Sequence, residues 1–164
     1  MTFKPFLDAP LIIQLHAASA IVALVTGPIA LFRRRRDGVH KGMGRLWVAS
    51  MAVTALSAAF IFELRMIGPF SPIHLLVPLT LYGLWRGVML IRRGEVAAHA
   101  RQMRGLYFSA IGVAGLFTLL PGRMMSQMLA PEAPWLGFAC AAAVLAWGVW
   151  RARAAVPNRV AAGD

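Results

Sequence analysis

Charge is what this sequence has least of. Only 14% of its 164 residues are Asp, Glu, Lys or Arg, where a water-soluble domain carries about a quarter. With 59% hydrophobic residues and a mean hydropathy of +0.67, most of the chain has no water-facing surface to supply. That excludes an ordinary soluble domain and leaves no room for a second one. Cysteine is nearly missing: Cys140 stands alone, inside an apolar run. A disulfide framework, a CxxC pair and a c-type haem attachment motif are therefore excluded. A nucleophile motif, a P-loop and a dinucleotide fingerprint are also lacking, so nothing supports a soluble hydrolase. Acids are scarcer than bases, 6 against 17, for a net charge of +11. The bases cluster between apolar runs and do not line one face, which argues against a nucleic-acid partner.

What is present is a series of long apolar runs separated by short polar breaks. After an outer lead over residues 1–9, a first span runs over about 10–32, long enough for ~30 Å of helix. The basic cluster Arg33–Arg36 follows this run instead of preceding it, the reverse of a signal peptide, so the segment is expected to be retained. A second span is expected over about 45–67, ending at the turn Gly68-Pro69-Phe70-Ser71-Pro72. A third covers about 72–91, with Ser71 suited to cap it and Pro72 to open it. It breaks at Arg92-Arg93-Gly94. The fourth, over about 103–120, begins as helix within Glu95–Arg104 and stops at Pro121-Gly122-Arg123. A Met-rich loop leads to a fifth span over about 134–150 and a cytoplasmic tail over 151–164.

The basic residues orient these spans. Arg33 to Arg36, Lys41, Arg45, Arg92, Arg93, Arg101, Arg104, Arg151, Arg153 and Arg159 fall on one side, and Lys4, Arg65 and Arg123 on the other. The positive-inside rule then places the N-terminus outside and the C-terminus in the cytoplasm. Trp47, Trp85, Trp135 and Trp150 fall near span ends, as an aromatic belt requires. The expected class is all-α. It is a polytopic membrane protein with a four-helix up-down bundle built from two repeated hairpins, plus a fifth transmembrane helix.

The repeat is carried by histidine. His16 and His40 bracket one span and one basic hinge, and His74 and His99 bracket another. An arginine follows five residues after each second histidine, Arg45 and Arg104. Two hairpins in the same orientation imply a pseudo-two-fold along the membrane normal. In such a bundle, helices one and three are diagonal, as are two and four. His16 and His74 would then face each other at the outer level, and His40 and His99 at the inner level. Paired imidazoles across a bundle are what a b-type haem takes as axial ligands. Ser19, Ala20, Ala23 and Gly27, with Gly105, Gly112 and Gly115, offer flat space, and Arg45, Arg101 and Arg104 offer partners for propionates. Copper or zinc on the same histidines is the competing reading. Histidines serving only in packing or proton relay, with no cofactor, is the third. Small residues at helical spacing commonly serve helix packing.

Other polar residues have a bland reading beside a sharper one. Glu63 and Arg65, toward the outer end of span two, read as a proton or quinone contact or as snorkelling charges. Arg86 lies inside span three, either facing the bundle or reaching for the headgroups. Met124, Met125 and Met128 read as bilayer contacts, with Cu(I) a lesser option.

The order of His16, Gly27-Pro28, Gly38-Val39-His40-Lys41-Gly42-Met43-Gly44-Arg45-Leu46-Trp47, Gly68-Pro69-Phe70-Ser71-Pro72-Ile73-His74, Arg92-Arg93-Gly94-Glu95-Val96-Ala97-Ala98-His99, Met103-Arg104-Gly105-Leu106-Tyr107 and Leu120-Pro121-Gly122-Arg123 resembles the prokaryotic membrane proteins catalogued as domain of unknown function 2306. The resemblance covers roughly residues 10 to 125. It implies a polytopic bacterial inner-membrane protein and transfers no catalytic residue. A looser, fold-level analogy runs to four-helix di-haem cytochromes b. The resulting expectation is an electron-transfer protein between a quinone or another membrane redox partner and an acceptor, with a copper- or zinc-binding assembly factor or a small transporter as alternatives.

Overall fold

The computed structural model describes residues 4–33, 35–61 and 72–119, and beyond them 126, 133, 135–136, 138–140, 142–143 and 146–147. It is all-helical over the described residues. The chain divides into two compact units, residues 2–114 and 115–164. In the second unit, Trp135 and Phe138 stack edge to face, 6.2 Å between ring centroids. Glu63, Arg65, Met124, Met125, Met128, the turn over 68–71 and the tail over 151–164 lie outside the described residues.

In the first unit a single turn, Lys4–Leu7, precedes α1 over Leu11–Phe32, and α2 covers Gly38–Ala58. A 3₁₀ turn at Pro72–Leu75 leads into α3 over Leu76–Arg92, and α4 covers Val96–Leu106. The helix then widens into a π segment, Tyr107–Ile111, and resumes as α5 over Gly112–Thr118. Neighbours in sequence pack together, α1 on α2, α2 on α3 and α3 on α4, and α4 with its π extension returns to α1. One core draws on all four: Ala23, Trp47, Met51, Leu84, Met103, Leu106 and Ala110.

α1 is 22 residues long and, among the described residues, the one helix both long and apolar enough to cross a membrane. Its small residues Ala23, Thr26, Gly27 and Ala30 are buried, while Leu15, Ile21, Leu24, Val25 and Ile29 are exposed. A helix facing water would be sorted the other way round. Small residues inward and large apolar ones outward is how helices pack when the surroundings are lipid. Three hydroxyls along α1 and α2 do not break this pattern, because they donate to carbonyls of their own helix. Thr26 donates to the Val22 carbonyl at 2.7 Å, Thr54 to Ser50 at 2.8 Å and Ser57 to Val53 at 2.8 Å.

Both hinges are closed by local chemistry. Asp37 caps α2, its carboxylate accepting from the His40 backbone N–H at 3.1 Å. Arg33 Nε also donates to it at 2.9 Å. The Arg33 guanidinium and that backbone bond hold the Asp37 carboxyl well below the usual carboxylate range. This cap starts α2 at Gly38, seven residues before Arg45, and so carries Trp47 into the interior. Trp47 is 1% exposed, which corrects its expected place in an aromatic belt; Trp85 and Trp135 are exposed, and Trp150 lies outside the described residues. The second hinge is a Schellman turn. Gly94, at φ +78°, donates to Ile91 at 3.1 Å, and Glu95 donates to Leu90 at 3.0 Å.

Two glycines hold the helices close. A Cβ at Gly27 would overlap the Tyr107 ring and come within 2.9 Å of Trp47 Nε1. A Cβ at Gly87 would meet the end of the Met103 side chain. The rings cannot yield but Met103 can swing away. Gly27→Ala is therefore expected to cost about 1–3 kcal/mol, and Gly87→Ala clearly less, in thermal unfolding followed by tryptophan fluorescence. Gly94→Ala is expected to cost about 1–2 kcal/mol, because only glycine takes that backbone conformation freely. Asp37→Asn keeps the cap. Asp37 stabilises the hinge fully above its unfolded pKa of about 3.9, and the contribution fades as the pH falls toward the lower folded value. The variant's unfolding midpoint should therefore be the less sensitive to acid and to salt.

Candidate functional site

The four histidines occupy three kinds of place. His16 is half-buried between α1 and α2. Its Nδ1 lies 3.0 Å from the Thr54 carbonyl and 3.1 Å from Ser57 Oγ. A carbonyl only accepts, so Nδ1 carries the hydrogen. Ser19 Oγ lies 2.8 Å from Thr54 Oγ1 and donates to the His16 carbonyl at 2.9 Å, extending a small polar network across the two helices. His40 sits in the first turn of α2, and its Nδ1 donates to the Ala30 carbonyl near the end of α1 at 3.0 Å. His99 sits in the first turn of α4, and its Nδ1 donates to the Gly87 carbonyl near the end of α3 at 2.8 Å. His74 is half-buried in the 3₁₀ turn that opens α3.

His40 and His99 thus do the same thing in both hairpins. Each ring reaches back across its hinge and takes a main-chain carbonyl of the preceding helix. In the neutral form of all three rings Nε2 is left with the lone pair. That is how metal-ligating imidazoles are held, with the far nitrogen fixed by a carbonyl.

The remaining expected residues are placed differently. Arg45, Arg101 and Arg104 are exposed, and none forms an ion pair among the described residues. Gly27 does not line a flat cavity, because Tyr107 and Trp47 fill its notch. Gly105 and Gly115 face open space. Among the described residues, no three His, Cys, Asp or Glu side chains converge as a metal site of that size would need. Sequence reasoning missed Thr54 and Ser57 as partners of His16. Nothing in their spacing signals it, since the contact is made across two helices. It also missed the Tyr107 hydroxyl, which donates to the Leu24 carbonyl at 3.2 Å and ties the π segment to α1.

A family model described as a predicted membrane protein, DUF2306, matches residues 13–161. The chain belongs to this family. The DUF2306 match runs well past Arg123, so the family unit takes in the apolar run over 134–150 as well as the four helices before it. No curated protein and no solved structure matches the chain.

If each hinge ring is a clip, His40→Ala and His99→Ala should each lower stability by about 1 kcal/mol, the worth of one hydrogen bond. The two losses should add in the double variant, because the clips lie in separate hairpins. Unfolding of the detergent-solubilised protein measures this. Wild-type midpoints in both single variants would show the contacts to be energetically idle.

Proposed function

We propose that this DUF2306 protein is a polytopic bacterial inner-membrane protein whose four-helix bundle holds b-type haem between histidines of alternate helices. Its N-terminus lies outside and its C-terminus in the cytoplasm. The observation that carries this reading is the fixed tautomer. Three of the four rings give their Nδ1 hydrogen to a protein acceptor, which leaves Nε2 as the ligating atom. Porphyrin supplies four of the iron's ligands, so the protein need furnish no more than two. Copper or zinc would ordinarily gather three or more, and that convergence is missing among the described residues.

His16 with His74 is the pair we assign first. The packed layer of the core begins about 6 Å along the helix from His99, at Met103, but about 10 Å from His16, at Ala23. The surroundings of His16 are small and polar, Ser19, Thr54 and Ser57. These residues orient the ring and hold its proton at Nδ1. His40 and His99 would hold a second group at the inner level, with Arg45, Arg101 and Arg104 near enough to the headgroups to meet propionates. Bound haem supplies one-electron chemistry, and a membrane quinone is the partner class that fits it.

A cofactor-free bundle is the second reading. It is favoured by the way Tyr107 and Trp47 fill the notch at Gly27, which leaves the middle of the four helices closed. An absorption spectrum separates the two. Protein purified from haem-replete cells should show a Soret band, and His16→Ala or His74→Ala should remove the outer haem's share of it, leaving only that of an inner-level haem, while helical content is kept. A colourless wild-type preparation would end the haem reading and leave the closed bundle.

A further inference from the structure

A groove of about 570 Å³ runs between α3 and α4 on the outside of the first unit. Its walls carry Leu79, Gly83 and Arg86 from one helix and Arg101, Gly105 and Ser109 from the other helix and its π extension. The missing side chain of Gly105 leaves it open. Leu106 packs into the space over Gly83, and Gln102 Nε2 donates to the Gly83 carbonyl at 3.3 Å, so both helices are joined beneath. Among the described residues, no Asp or Glu lines it.

The two arginines are the anomaly. Arg86 lies about 9 Å along α3 from its hinge end, and Arg101 about 8 Å along α4 from its start. Both therefore stand at one depth, on facing walls of an apolar trough. Neither forms an ion pair among the described residues. Glu95 lines a neighbouring cleft with Arg86 and Arg93 and pairs with neither. A guanidinium this close to the hinge reaches the headgroup layer, where an anionic group is its natural partner. Beyond them toward Leu76 the trough is lined mostly by apolar side chains.

A ligand that complements both features has one anionic head and one long apolar tail. We propose that the groove seats an anionic phospholipid, its phosphate between Arg86 and Arg101 and one acyl chain laid toward Leu76. The planar forks of two arginines suit phosphate oxygens, and basic pockets between membrane helices bind anionic headgroups elsewhere. The site makes no use of the histidines and shares only Arg101 with the propionate reading, so Arg86→Gln and Gly105→Leu test it apart from the haem reading.

The test uses the full chain in mild detergent, titrated with short-chain phosphatidylglycerol and followed by tryptophan fluorescence. Phosphatidylcholine of the same chain length and inorganic phosphate serve as comparisons. Phosphatidylglycerol should saturate the signal at concentrations where the other two do nothing. Arg86→Gln with Arg101→Gln should weaken it about twenty-five-fold, since each arginine near an anionic headgroup contributes roughly a factor of five. Gly105→Leu is the second variant. A Cβ there meets nothing within 4 Å, so the fold should be kept while the trough is filled. It should lose binding with both arginines intact. Equal response to phosphatidylcholine, a response to phosphate alone, or wild-type affinity in either variant would overturn the assignment.

Discussion

The first unit depends on a notch. Gly27 has no side chain, and into the room this leaves come the rings of Trp47 from α2 and Tyr107 from the π segment, 6.3 Å apart and tilted at 45°. Three helices meet at that point. Phe108 extends the contact, packing edge to face on Tyr107 and on Phe32 at the end of α1. With the surroundings apolar, burial of hydrocarbon does little to hold helices together, and close van der Waals fit has to do so. A ring seated against backbone supplies many such contacts at once. The remaining core residues, Met51, Leu84, Met103 and Leu106, extend that fit along the helices.

Around this centre the hinges act as fasteners. Asp37 and Gly94 stop and start helices by backbone chemistry, and His40 and His99 tie each helix to the one before it. The same device appears in both hairpins, although the first hinge has five residues between its helices and the second has three. It also gives the rings a defined chemistry. A nitrogen committed to a carbonyl cannot ligate, and the other one is then aimed by the backbone itself. Structural clip and ligand holder are therefore compatible descriptions of one hydrogen bond.

Much of this was legible in the residues. Apolar runs, basic breaks and the Arg92-Arg93-Gly94 stop signal point to an all-helical membrane chain. The matching positions of the histidines singled out both hinges, because His40 and His99 follow basic breaks at similar distances. Three things were not legible. Trp47 looked like an interfacial residue because the helix was expected to begin near Arg45, and the cap at Asp37 moved it inward. Thr54 and Ser57 gave no sign of meeting His16, since such a contact depends on how two helices are rotated about their axes. The groove was hidden because Arg86 and Arg101 are separated by a hinge in sequence and share a face only after the chain has folded back.

The π segment has a geometric effect that reaches beyond Tyr107. It inserts one residue into a helix that otherwise turns about 100° per residue. Residues Gly112–Ala114 are thus rotated by roughly that angle from where an uninterrupted helix would carry them. Removing a single residue within Tyr107–Ile111 would restore regular winding and turn the two parts of the rod into one continuous stripe. The bulge behaves as a phase shifter between the turn that carries Tyr107 and the turn that follows it.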